Sequence, residues 1–473
     1  MENVKCDLLV IGAGSGGLSV ASGAAQMGAD VILLEGAEMG GDCLNSGCVP
    51  SKALLAAAAR AASRAKGTDM GIAPATAEVD FAAVKDHVAD VIAQIAPHDS
   101  VERFEGLGVK VITEYGRFTG PRTVEAGGQS ITARRVVVAT GSRPLVPPID
   151  GLDRVPFETN ETIFDLRERP KHLLILGGGP IGMEMAQAHR RLGCEVTVIE
   201  GQKALGRDDG EAAALVIEAL RGEGVTIAEG AMAEAVSGKA GAIEVTSKDG
   251  RRFAGTHLLV ALGRVPNLDR LDLDKAGIET ARGGITVDAR LRTSNKKVYA
   301  IGDIVAGGMQ FTHVAGYHAG IVIRQAMFGL PAKASTAHIP WATYTDPELA
   351  QVGLTEAQAR EEHGDKLEVL RADFAGNDRA VAERATAGFA KVMVVKGRPV
   401  GATIVGQGAG EQIGFWALAL SQNMKISAVA GMVMPYPTRA EVHKRVAGTY
   451  FTPRLFDNKA VTWAVRTIQR WLP

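Results

Sequence analysis

The sequence predicts an α/β protein with two doubly wound, Rossmann-like dinucleotide-binding domains followed by a C-terminal α+β domain. Three observations predict it. A strand, glycine-rich turn and helix occur together twice; each copy ends in an acid 23 positions after its first glycine; and past residue 338 strands and helices alternate without any such turn. The first copy runs Leu9-Val10-Ile11, Gly12-Ala13-Gly14-Ser15-Gly16-Gly17, a helix of small residues, then Val31-Ile32-Leu33-Leu34-Glu35. The second runs Leu173-Leu174-Ile175-Leu176, Gly177-Gly178-Gly179-Pro180-Ile181-Gly182, then Val196-Thr197-Val198-Ile199-Glu200. A lone G-x-G-x-x-G is weak, but a strand before it, a helix after it and a distant acid make it a dinucleotide site. The glycines let backbone approach a pyrophosphate at the helix N-terminus, and Glu35 or Glu200 is placed to accept hydrogen bonds from a ribose diol.

Each copy has a later apolar strand that stops at glycine: Val136 to Ala139, then Thr140-Gly141, and Leu258 to Leu262, then Gly263. A further strand, Val298 to Ile301, delivers Gly302-Asp303 to a loop. Strands at 390–395 and 402–405 mark the last domain. With Pro-rich joins at 144–148 and 331–340, the expected divisions are 1–147, 148–267, 268–337 and 338–473. Two dinucleotide sites in one chain point to electron transfer between their occupants.

At 473 residues the chain is too long for a single core. Its net charge of −1, with no long basic run, gives nothing to attract nucleic acid. No stretch of about 20 apolar residues is present, and the N-terminal run is too short for a signal peptide, so a cytoplasmic protein is expected. Four cysteines are too few for a secreted disulfide scaffold. Cys6 and Cys194 lie at the edges of apolar runs and read as buried, inert thiols.

Cys43 and Cys48 differ. They lie in Gly40-Gly41-Asp42-Cys43-Leu44-Asn45-Ser46-Gly47-Cys48-Val49-Pro50-Ser51-Lys52, followed by an alanine-rich helix former. Pro50 suits that helix's first turn, which places Cys48 at a helix N-terminus, where the dipole favours a thiolate. The intervening residues give slack for a small, reducible disulfide loop. Two idle thiols or a metal site are the alternatives, and a metal site has no third ligand nearby in sequence.

These motifs, in this order and over essentially the whole chain, resemble the FAD-containing pyridine nucleotide–disulfide oxidoreductases, which include dihydrolipoamide dehydrogenase, glutathione reductase and the catalytic core of mercuric reductase. Cys43 to Lys52 is the most specific match. The resemblance implies FAD at Gly12, Gly14, Gly17 and Glu35, with further contacts from Thr140, Gly141, Gly302 and Asp303. It implies NAD at Gly177, Gly179, Gly182, Glu200 and Gly263. It implies that Cys43 exchanges with substrate, that Cys48 forms a charge-transfer thiolate beside the flavin, and that Lys52 approaches the flavin and pairs with Glu184. The C-terminal domain is implied to be the interface of an obligate homodimer.

The pattern departs from that family near the C-terminus. Dihydrolipoamide dehydrogenase and glutathione reductase carry His-Pro-Thr-x-x-Glu, whose His is the acid/base supplied by the second subunit; this chain reads Tyr436-Pro437-Thr438-Arg439-Ala440-Glu441. Histidine titrates near ~6.5 and tyrosine near ~10, so at neutral pH only about one tyrosine in a thousand is ionised. Tyr436 is therefore a poor resting base, though it can donate a proton; a purely structural aromatic is the other reading. His443 is expected to point away from the face of Glu441 and not to replace it. A tyrosine here is similar to mercuric reductase, yet the last cysteine of the sequence is Cys194, so the C-terminal cysteine pair of that enzyme, and the cysteine or selenocysteine tail of thioredoxin reductases, have no counterpart.

The expected function is thus electron transfer from NAD(P)H through FAD to Cys43–Cys48 and on to a small-molecule disulfide, with metal-ion or quinone reduction, or a non-catalytic redox sensor, as alternatives. Glu200 favours NAD by repelling a 2′-phosphate, while Lys203 and Arg207 leave NADP open. No resident metal is expected. In the tail, Val461, Ala464, Val465, Ile468 and Leu472 share a helical face opposite Lys459, Arg466 and Arg470. It is expected to pack on the protein's own surface rather than on a membrane.

Overall fold

The computed structural model describes residues 2–65 and 67–472. They form two compact units, residues 1–201 with 228–335, and residues 202–227 with 336–473.

The first unit is built on a sheet whose order is Val109–Ile112, Val31–Leu34, Glu2–Ile11, Gln129–Val138, Thr123–Ala126, Arg117–Gly120, with Val298–Ala300 added beside Gln129–Val138. The strands from 109 to 138 in this order are parallel and pair in register, Leu9 opposite both Ile32 and Val136. They are apolar on both faces because both faces are covered. Leu8, Val10 and Leu33 enter one core with the helix Ser15–Gln26, whereas Leu9, Ile11, Ile32 and Leu34 enter another with Phe118 and Ile131. A second parallel set in this unit, Glu195–Ile199, His172–Leu176 and His257–Val260, repeats the arrangement. A three-stranded antiparallel sheet over residues 233–255 closes its core with Val236 and Val245. The α/β class and both doubly wound sheets are those expected.

The second unit carries a five-stranded antiparallel sheet, ordered Pro340–Thr343, Glu348–Gly353, Arg398–Gly406, Phe389–Val395, Leu367–Asp373. Ala390, Val392 and Val394 pack with the buried Trp416 of the helix Ala409–Ser421. Lys391, on the opposite face, is equally buried, and its Nζ reaches both carboxylate oxygens of Asp209 at 3.1 Å and Glu356 at 2.8 Å. Asp209 also caps the helix Gly210–Gly222, accepting from the Glu211 and Ala212 N–H groups. That ion pair, together with Trp341 donating to Asp208 at 2.7 Å, ties Asp208 and Asp209 to the C-terminal sheet. The helix Lys459–Gln469 has no fully buried residue; Val461, Ala464 and Thr467 are half-buried and the rest of it is exposed.

No helix among the described residues is long and apolar enough to cross a membrane.

Candidate active site

The two glycine turns have nearly the same geometry. Gly12 (φ +104°) and Gly177 (φ +106°) sit in backbone that side chains rarely adopt, and a Cβ there would lie 2.5 and 2.4 Å from the carbonyl oxygens of Ala139 and Ala261. A Cβ on Gly17 or Gly182 would meet the carbonyl of Gly12 or Gly177 at 1.8 or 2.0 Å, so helix and strand pack this tightly only with glycine. The middle glycines are different. Gly14 and Gly179 cap the helices Ser15–Gln26 and Pro180–Arg191, and a Cβ on either has no described atom within 4 Å. Each helix begins without a side-chain cap and without an acid in its first turn. Open space in front of uncompensated N–H groups is the cradle a pyrophosphate needs, and these residues fit two dinucleotides.

The acids are fastened to their turns. Glu35 accepts from the Ala13 N–H at 2.6 Å and the Ala37 N–H at 2.8 Å; Glu200 accepts from the Gly178 N–H at 2.7 Å. Thr140 donates to the Asn267 carbonyl at 3.1 Å, and Asn267 donates back to the Thr140 carbonyl at 2.9 Å, which holds the turn at Gly141. The Gly263 carbonyl accepts from Leu145, and the Gly302 N–H donates to Nδ1 of the buried His318. Asp303 accepts from the Ser142 hydroxyl at 2.7 Å, and burial raises its pKa.

The cysteines are brought together. Cys43 lies in the short helix Gly41–Asn45, and Cys48 is the first residue of Cys48–Ser63. Gly47 joins them where a Cβ would press to 2.8 Å on the Asp42 carbonyl. Both thiols are free, Cys43 half-buried and Cys48 exposed, and they hydrogen-bond to each other. Thr312 Oγ1 stands 3.3 Å from Cys48 Sγ and opens a second helix, Thr312–Ala326. Cys48 thus lies at the positive ends of two helices. Lys52, one turn along, pairs through Nζ with Glu184 Oε2 at 2.8 Å, and Glu184 is buried on Pro180–Arg191.

The electrostatics are lopsided. The hydrogen bond from Cys43, with help from Thr312 and the charge of Lys52, pulls the Cys48 pKa down to about 6 against burial and Asp42. The same hydrogen bond, with burial and the charge on Cys48, drives Cys43 upward. Near neutral pH the pair therefore carries its negative charge on Cys48 in preference to Cys43. One negative charge is held on one chosen sulfur. Cys6 and Cys194 are buried, and burial raises both thiols, as befits inert ones.

Sequence reasoning missed the supports. Arg264 donates to the Ser142 hydroxyl at 2.7 Å and pairs with Asp42 at 3.1 Å, next to Cys43, while Asn160 donates to the same Asp42 oxygen at 2.8 Å. Neither has a local signal. Thr312 directly opens a helix, which is the only cue that its hydroxyl ends beside a thiolate.

In the second unit the Tyr436 hydroxyl donates to Asp378 at 2.8 Å, and this hydrogen bond to a carboxylate raises the phenol's pKa. Glu441 starts the helix Glu441–Thr449 and accepts a long bond from the Thr438 N–H at 3.4 Å. The aligned tyrosine is thus oriented by Asp378, a residue that no sequence pattern singled out. His443 is buried, stacks on Phe415 and accepts at Nδ1 from the Trp416 indole at 3.0 Å; burial lowers its pKa to about 4. It is a neutral core residue, not a base.

A family model described as pyridine nucleotide-disulphide oxidoreductase matches residues 6–319, and the dimerisation domain of the same family matches 339–447. The chain is 34% identical to a mercuric reductase of Lysinibacillus sphaericus over 452 residues, covering 94% of this chain and 82% of that one. It is 35% identical to a dihydrolipoyl dehydrogenase of Bacillus subtilis (strain 168) over 457 residues, covering 94% and 96%. Among solved structures it resembles the HOCl-induced flavoprotein disulfide reductase RclA from Escherichia coli, with a TM-score of 0.83, 28% identity and coverage of 93% and 99%; a Cu(II) complex of RclA matches equally well.

Proposed function

This chain belongs to the pyridine nucleotide-disulphide oxidoreductase family, and on that premise we propose that Cys43 and Cys48 carry its electron pair to a small-molecule disulfide. It is an oxidoreductase that uses FAD and NAD(P)H, and its dimerisation domain makes it a homodimer. Bound FAD supplies the two-electron link between the nicotinamide and the cysteine pair. In this reading Gly12, Gly14, Gly17 and Glu35, with Thr140, Gly141, Gly302 and Asp303, hold FAD. Gly177, Gly179, Gly182, Glu200 and Gly263 hold the nicotinamide dinucleotide, and the acid at Glu200 favours NAD over NADP. A cytoplasmic setting, where NAD(P)H is made, belongs to the same proposal.

The protein residues do the following. Reduction of the Cys43–Cys48 disulfide by two electrons and one proton leaves Cys43 as thiol and Cys48 as thiolate. Thr312, the two helix N-termini and Lys52 stabilise that thiolate, and Glu184 holds Lys52 in place. Passing the Cys43 proton to Cys48 through their hydrogen bond makes Cys43 the nucleophile. Cys43 then attacks one sulfur of the substrate disulfide and releases the other as a thiolate, which takes up a proton. Cys48, deprotonated again, displaces the second substrate sulfur and restores the Cys43–Cys48 bond. The sum is one disulfide reduced to two thiols. Tyr436, kept protonated by Asp378, suits donation to a departing sulfur, with Glu441 behind the same turn.

The observation that carries this reading is the placing of Cys48, beside Cys43, at two helix N-termini with Thr312 Oγ1 3.3 Å from its Sγ. NADH titration of the anaerobic holoenzyme is expected to produce the long-wavelength absorbance of a thiolate beside flavin and two newly alkylatable thiols. No such band and no new thiols, with FAD intact, would end it. A metal-ion or quinone acceptor is the second reading, favoured by the phenol that stands where a resting base is needed. An acceptor screen with lipoamide, glutathione disulfide, Hg(II), Cu(II) and quinones separates the two.

A further inference from the structure

We infer that the helix Lys459–Gln469 is a surface anchor that docks this enzyme on an anionic lipid bilayer. The helix is well defined, since Asn458 caps it by accepting from the Ala460 and Val461 N–H groups at 3.0 and 3.3 Å. At 100° per residue, Val461, Ala464, Val465, Ile468 and Leu472 occupy one arc, while Lys459, Arg466 and Arg470 occupy the opposite one. Val461 and Ala464 are half-buried, but the rest of the apolar arc faces outward: Ile468 is 53% exposed, and Trp471 beyond the helix end is 84% exposed. The preceding turn adds exposed Leu455 and Phe456 to the same end of the molecule's second unit.

Charge selects the occupant. From Asn458 to Pro473 there is no Asp or Glu, so every charged side chain on the polar arc is cationic. An anionic headgroup layer complements such a helix, with the apolar arc in the acyl boundary and Trp471, at the edge of that arc, at the level of the headgroups. The matched dimerisation domain ends at Ala447, before the helix begins, so the helix lies outside the part of the chain matched to subunit pairing. Packing on the chain's own surface, expected from the sequence, half-covers Val461 and Ala464 and leaves Val465, Ile468 and Leu472 exposed.

Vesicle flotation of the FAD-loaded full chain tests this. Wild type is expected to float with phosphatidylcholine vesicles containing roughly a third phosphatidylglycerol, not with pure phosphatidylcholine, and to be released by salt. Ile468→Asp and, separately, Arg466→Glu with Arg470→Glu are each expected to weaken flotation by about tenfold, with NADH turnover on a soluble acceptor unchanged. Wild type that stays with the unbound fraction, equal flotation on neutral vesicles, or variants that float like wild type would each overturn it. So would an Ile468→Asp protein that light scattering shows to be monomeric, because a second copy would then be what covers the face.

Discussion

The cysteine motif of the first unit and the Tyr436–Glu441 turn of the second handle charge in opposite ways. Around Cys48 the fold gathers stabilisers of a negative charge: two helix N-termini, the Thr312 hydroxyl, a hydrogen-bonded Cys43 and Lys52. Around Tyr436 it places a carboxylate, which keeps the phenol from ionising, and it buries the nearby His443 as a neutral ring under Trp416. The first region is built to hold electrons on a known sulfur near neutral pH. The second has given up the group that would titrate there. In the proposed mechanism, storing the electron pair and moving its proton thus fall to separate groups, and it is at Tyr436 that the sequence departs from the His-Pro-Thr-x-x-Glu pattern.

The comparison breaks first at the sulfurs. Cys43→Ser or Cys48→Ser is expected to lower disulfide reduction by about a thousandfold or more, measured as steady-state turnover. If either variant keeps wild-type disulfide activity, the charge at Cys48 has another purpose. Next in size is Tyr436→His. It restores a group that titrates near ~6.5 and should raise dithiol turnover about tenfold above that pH; a flat response at every pH would show that the proton leaves by another route.

Smaller effects sharpen the contrast. Because the Cys48 pKa is lowered, its thiolate is present above about pH 6 and is lost as pH falls through that value. Iodoacetamide alkylation of the reduced enzyme should follow this midpoint, rather than the ~8.5 of a free cysteine. Thr312→Val removes a hydrogen bond to the thiolate and should move the midpoint up by about one unit, and Lys52→Met, which removes a favourable charge, by less. The smallest change is expected of Asp378→Asn. The phenol of Tyr436 should then ionise nearer its ordinary ~10, read from phenolate absorbance, with turnover altered by less than about twofold.

What could be read in advance follows from how local each constraint is. Gly12 is dictated by its own positive φ and Gly17 by its contact with the Gly12 carbonyl five residues back, so the turn announces itself; the second turn announces itself the same way. Cys48 was legible because Pro50 and the alanines after it define a helix start. Thr312 reaches Cys48 from 264 residues away, and Asp378 reaches Tyr436 across 58, so neither leaves a pattern along the chain. The Lys52–Glu184 pair, 132 residues apart, was foreseen only through the family resemblance. The tail's amphipathic period was plain, but a period says which face is apolar and not what covers it. The segment 202–227, expected with the second nucleotide turn by proximity in sequence, also meets the C-terminal sheet where Lys391 binds Asp209 across 182 residues, a contact with no local signal.

That lysine has a practical consequence for anyone dividing the gene. A fragment ending near residue 335 would keep Asp209 while discarding its countercharge, and would leave the helix Gly210–Gly222 with Ala212, Val216 and Leu220 stripped of the strands they rest on. The remaining fragment would carry an ammonium with part of its cage missing. Neither half is a module, and expression, circular permutation or limited digestion should treat the chain as threaded, with its last third begun before its middle is complete.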